Sequence, residues 1–190
     1  MNIGLLEKEQ YSDMSNINIL QKQCEGELID DPNGITIKLL VYNVFMRPPL
    51  VKNYESDYKD ARLDEISKYM KDYDILCFQE VFTPFSSRQK KLIENGRKYS
   101  NLKYSAKSPN PWNLLFRCFV PPYINGGLLT LSRYEISDEK FQEFPKNCSI
   151  DTVAKKGVLY TKICHEKDLI IHLFNTHLQA CYDLISKDSL

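Results

Sequence analysis

Apolar positions fall into short runs separated by turn residues, and their period switches between two and that of a helix. Ile35, Ile37, Leu39 and Val41 alternate, and Asn43 is the next member of the same face. The other face changes from Thr36 and Lys38 to Leu40, Tyr42 and Val44. A strand over Ile35 to Phe45 follows, entering from a wet rim and ending buried. Arg47-Pro48-Pro49 stops it. Leu63, Ile66 and Met70 then stand at helical spacing, which predicts a helix over Asp60 to Lys71. Ile75-Leu76-Cys77-Phe78 is a continuous apolar run, the pattern of a strand covered on both faces, and it delivers Gln79-Glu80 at its end. Strand, helix, strand at this spacing predicts a βαβ unit with parallel pairing.

Beyond that unit, Ser86 and Gln89 fit a capping box for a helix that reaches about Glu94 and stops at Asn95-Gly96. The cations Arg88, Lys90 and Lys91 on it read as a solvated face, with phosphate or lipid contact as the other reading. Leu102 to Ala106 reads as a short edge strand. Gly126-Gly127 opens a strand over Leu128 to Ser132, and Tyr134 to Phe144 extends the sheet. Lys156-Gly157 opens Val158 to Cys164, and Asp168 to Thr176 returns as its antiparallel hairpin partner. Between these, Pro109, Pro111, Pro121 and Pro122 bracket the apolar segment Trp112 to Val120, which either folds over the core or touches a lipid surface. Residues 1–34 are polar and weakly patterned and read as a lead-in closed by the turn Asp31-Pro32-Asn33-Gly34; residues 35–190 read as one domain portion.

Composition narrows the classes. A chain of 190 residues with 43% hydrophobic content can bury one sizeable core. A formal net charge of zero removes the case for nucleic-acid binding through bulk positive charge. The six cysteines contain no C-x-x-C pair, so neither a zinc site of that type nor a disulfide framework is indicated. No signal-peptide pattern and no run of ~18 apolar residues is present, so an intracellular protein, soluble or peripheral to a membrane, is expected if Met1 is the start.

Three residues carry candidate chemistry. Glu80 ends a buried strand, where a carboxylate either meets water or serves as a hard oxygen ligand for Mg²⁺. Asn43 is a polar member of an apolar face, so its amide either bonds neighbouring backbone or binds something. His177 lies at the end of the last strand, on the face of Leu173 and Asn175, where it is either structural or a general acid or base.

Four stretches in this order, Tyr42-Asn43-Val44, Phe78-Gln79-Glu80-Val81, Gly127 to Tyr134 and Asn175-Thr176-His177-Leu178-Gln179, resemble the endonuclease/exonuclease/phosphatase superfamily. Cys77 to Phe82, Lys156-Gly157-Val158-Leu159-Tyr160 and Thr176 to Ala180 are most similar to its neutral sphingomyelinase, or sphingomyelinase C, branch. The resemblance implies an α/β fold, part of a four-layer α/β/β/α sandwich of the deoxyribonuclease type. It implies Mg²⁺ as cofactor, with Asn43 and Glu80 at the metal and His177 on the phosphate. Sphingomyelin would be cleaved to ceramide and phosphocholine, so a phospholipid or sphingolipid is the expected partner, with peripheral membrane contact through Trp112 to Val120 if that segment touches lipid rather than folding over the core. A nuclease or inositol-phosphate phosphatase of the same fold, and an inactive membrane-binding remnant, are the alternatives. The family's later Asp-x-Asn motif and terminal Asp-His pair have no match: Asp183 and Asp188 stand outside such a motif and no histidine follows His177. A chain representing the N-terminal half of the domain is therefore expected.

Overall fold

The structure is a computed structural model that describes residues 34–47, 57–83, 86–110, 124–145, 154–165 and 169–178. By its internal contacts the chain divides between Thr36 and Ile37, and every element named below lies in the second unit. The expected lead-in up to Asn33, the segment Trp112 to Val120, and Asp183 and Asp188 lie outside the described residues.

The first strand, β1 (Leu39–Met46), leads to helix α1 (Lys59–Tyr69), which tightens into a 3₁₀ turn over Met70–Asp72. Strand β2 (Ile75–Val81) returns parallel to β1, with Leu39 opposite Ile75 and Asn43 opposite Gln79, as the βαβ reading predicts. Helix α2 (Arg88–Ser100), edge strand β3 (Tyr104–Lys107) and strand β5 (Leu129–Ser132) follow, with the short β4 (Ile124–Asn125) between them. The sheet order is β1-β2-β5-β3, with β5 antiparallel to both neighbours. A second sheet has the order β6-β8-β9, from β6 (Glu135–Glu143), β8 (Gly157–Cys164) and β9 (Ile170–Thr176), all antiparallel. Strand β7 (Ala154–Lys155) pairs with β4.

Two apolar layers hold these elements. Leu63, Met70 and Leu92 from the helical side pack with Val44, Met46, Leu76, Phe78, Leu129 and Leu131 of the first sheet. Burying a side chain of this size contributes about 1.5 to 3 kcal/mol. Ala106, Leu128 and Leu159 meet across the two sheets, with Ile136 and Phe141 packed against them. Among the described residues the layers therefore run helices, sheet, sheet. None of the described helices is long and apolar enough to cross a membrane.

Five expectations need correction. Strand β1 begins at Leu39 rather than Ile35, because Asp74 and Ile75 donate to the Lys38 carbonyl and Lys38 donates to the Asp74 carboxylate, so pairing starts where β2 starts. The alternating face Leu39, Val41, Asn43 is exposed, and the buried side is that of Val44 and Met46. Helix α2 runs through Asn95-Gly96 to Ser100 and closes at Asn101 in the left-handed conformation, where Leu102 N–H reaches the Gly96 carbonyl. Gly96 is instead a packing position: a Cβ there would sit 3.0 Å from Met70 Cε. The capping box does not form, since Gln89 turns away to donate to the Val81 carbonyl. Finally, β6 belongs to the second sheet rather than extending the first.

Candidate active site

The site grows from an irregularity shared by two neighbouring strands. Regular pairing of β1 with β2 breaks between Asn43 and Met46. Phe45 sits at φ 52° and Glu80 at φ 57°, left-handed values that non-glycine residues adopt rarely. In an extended strand Glu80 would point with Phe78 toward the helices. The left-handed turn of its backbone brings its carboxylate to Asn43, on the other side of the sheet.

Surrounding groups hold this geometry. Arg62 of α1 donates from Nη1 to the Val44 carbonyl and from Nη2 to the Phe45 carbonyl at 2.8 and 3.1 Å, pinning the bulge. Asp57 accepts from the same guanidinium at 3.3 Å. On the other flank Gly127, at φ 66°, lies so close that a Cβ would come within 3.0 Å of Glu80 Cα. Its carbonyl accepts from Val81 N–H at 2.8 Å.

Glu80 is only 7% exposed, so its charge requires partners. Asn43 Nδ2 donates to Oε1 at 2.8 Å, and Arg47 Nε donates to Oε2 at 3.5 Å. His177 Nε2 stands 3.7 Å from Oε1. The three residues singled out from the sequence, far apart in the chain, are thus brought to one carboxylate at the rim of the sheet. The Asn43 amide is shared: its Oδ1 accepts from Phe45 N–H at 3.0 Å while its Nδ2 faces Glu80. In this arrangement it orients the carboxylate. Asn43 is itself exposed, not the buried amide that alternation suggested.

Sequence reasoning missed Arg47, Arg62 and Gly127 as parts of the site. Arg47 stood out only as the residue before two prolines. Arg62 falls beside the apolar Leu63 of its helix with nothing to mark it. The Gly126-Gly127 pair was the one available signal, since a glycine before a strand often permits close backbone approach.

A hard divalent cation fits what is present. Mg²⁺ keeps several waters and is held by one or two carboxylates, and Glu80 is a carboxylate of the kind it takes, buried yet near the rim. Among the described residues no group of three or more His, Cys, Asp or Glu gathers as a ready-made metal cage.

The sequence profile of the Endonuclease/Exonuclease/phosphatase family matches residues 40–178, most of the chain and all three residues at this carboxylate. The chain belongs to this family. Among its family relatives is a sphingomyelinase of Dictyostelium discoideum, 27% identical over an alignment covering 77% of this chain and 52% of that protein. Sphingomyelinase C of Bacillus cereus is 28% identical, with 87% of this chain and 50% of that protein covered. A crystal structure of a Staphylococcus aureus beta toxin mutant with bound magnesium ions superposes with a TM-score of 0.61 at 26% identity, covering 77% of this chain and 51% of that one. The family fold is the deoxyribonuclease-like one that the resemblance implied. The chain spans about half the length of the curated relatives it matches.

Proposed function

We propose that the chain carries part of the active site of a Mg²⁺-dependent phosphodiester hydrolase of the sphingomyelinase type. Sphingomyelin would be cleaved to ceramide and phosphocholine. The observation that supports this most is the meeting of Asn43 and His177 at Glu80 Oε1, at 2.8 and 3.7 Å. Family membership and sphingomyelinase relatives agree with it.

In this reading Glu80 is the carboxylate ligand and Asn43 stands beside the metal, fixing the carboxylate through its amide. The bound ion would polarise a phosphoryl oxygen and offset charge that develops there. His177 presents Nε2 at the rim, where an imidazole N–H can donate to the phosphoryl oxygen as negative charge grows. Arg47, whose guanidinium donates to Glu80 Oε2 at 3.5 Å, helps to hold the carboxylate turned toward the rim. The formal net charge of zero favours a lipid phosphodiester over a nucleic acid.

Hydrolysis of sphingomyelin in mixed micelles, measured with and without Mg²⁺ on this sequence and on a version extended to the relatives' length, tests the assignment. Metal-dependent release of phosphocholine that Glu80→Gln abolishes is the expected result. Undiminished turnover by that variant would remove Glu80 from the metal, and turnover only of nucleic acid or inositol phosphates would replace the substrate class.

A further inference from the structure

Two buried amides outside the reacting set link the sheets directly behind the site. Gln79 is 6% exposed and Asn175 3% exposed. Gln79 Nε2 donates to Asn175 Oδ1 at 2.8 Å, across the interface between β2 and β9. Asn175 Nδ2 in turn donates to the carbonyls of Phe78 and Leu129, at 3.2 and 3.3 Å. Those carbonyls belong to the last regular pair of the β2–β5 ladder. The next bond between these segments is from Val81 N–H to Gly127 carbonyl. Glu80, with its left-handed backbone, lies in the gap. The amide of Asn175 therefore bonds both carbonyls at the point where the ladder is interrupted.

We propose that Gln79 and Asn175 form a positioning clamp that sets His177 against Glu80. Each member is close in sequence to a reacting group: Gln79 precedes Glu80, and Asn175, the penultimate residue of β9, lies two residues before His177, which follows the strand's end. Locking one amide to the other fixes the register of β9 on β2, and with it the imidazole-to-carboxylate separation. A neutral pair suits the task. Both amides are buried without the desolvation cost of an ion pair, and each bond has a defined direction. The inference rests on the reading of Glu80 and His177 as reacting groups.

The test uses Gln79→Met, which keeps the volume and removes the donor, and Asn175→Leu, which removes both donors and the acceptor. NMR on the full chain reads the nuclear Overhauser contact between the His177 ring and the Asn43 side-chain amide, expected because both approach the same Glu80 oxygen. Slow exchange of the Leu76 and Leu131 backbone amides certifies the core. Loss of that contact in a variant whose core amides remain protected supports the clamp. A preserved contact in such a variant overturns it, and so does failure of both variants to fold, which would make the pair a determinant of the fold. Calorimetric Mg²⁺ titration is the second readout, with affinity expected to fall roughly 10- to 100-fold, the usual consequence of disturbing a ligand's supporting shell. Wild-type protein that takes up no Mg²⁺ would defeat the metal reading and leave the clamp to the NMR comparison.

Discussion

Glu80 occupies a backbone conformation that costs an L-residue about 1 to 3 kcal/mol, and it does so within a buried strand. Such strain persists only where neighbours over-determine it. Here Gly127 leaves room on one side and Arg62 ties the adjoining bulge on the other. Gly127→Ala should therefore be costly: its Cβ would press on Glu80 Cα and its own φ of 66° would be strained. A loss of about 1 to 3 kcal/mol in urea unfolding is expected, with a fall in Mg²⁺ affinity. A variant as stable as the parent would show that the contact relaxes freely. Cys77 offers a pH-dependent check on the same strand. Burial pushes its thiol up to about 12, and the Thr130 hydroxyl pulls weakly the other way. Because the unfolded thiol ionises near about 8.5, the unfolded chain loses a proton that the folded one keeps as pH rises between these values. Stability is thus intact below that range and declines through it, by at most about 1.4 kcal/mol per pH unit. Cys77→Ala should flatten the alkaline slope measured by denaturant titration. Peptide mapping after alkylation of native protein near pH 8 should find Cys77 unmodified.

At the scale of elements, the two helices show where local pattern suffices and where it does not. Helix α1 was legible because Leu63, Ile66 and Met70 form one stripe, and Leu63 and Met70 are fully buried. The end of α2 was misplaced because Asn95-Gly96 looks like a stop signal, while Gly96 is there to admit Met70. Two cations of the run are engaged across the helix pair, Arg88 with Asp60 at 2.8 Å and Lys91 with Asp64 at 2.7 Å, and Lys90 faces Glu94 of its own helix at 3.7 Å. These pairs favour the solvated-face reading of the run over lipid or phosphate contact. The hydrogen bond from Arg88 holds the Asp60 carboxyl below the usual range. That contribution is present above about pH 4 and is lost as pH falls through the depressed folded value. Asp60 is largely exposed, so screening limits the effect, and Asp60→Asn should cost less than about 1 kcal/mol near neutrality and nothing in acid. Leu92→Ala, by contrast, opens the layer between helix and sheet and should cost about 2 to 5 kcal/mol by equilibrium unfolding.

At the scale of the whole molecule, the two sheets pack through a layer that mixes apolar contacts with the Gln79–Asn175 bond, and part of each sheet stays uncovered. Val41 on β1 is 62% exposed and Phe174 on β9 is 65% exposed. Replacing both with lysine should lower fluorescence of a hydrophobic dye while changing stability little, since exposed substitutions usually stay within about 0.5 kcal/mol. A large loss of stability instead would mean that these side chains are covered in solution. The sequence by itself determined the βαβ start, the closing hairpin, the family, and the three residues that meet at one carboxylate, because period, turn residues and short motifs are local properties of the chain. Only the tertiary structure decided which face of β1 is buried, that β6 joins a second sheet, and how Glu80 turns to reach Asn43. Those outcomes depend on what each strand packs against and on a backbone conformation held by Arg62 and Gly127, both distant in sequence from at least one of the groups they hold.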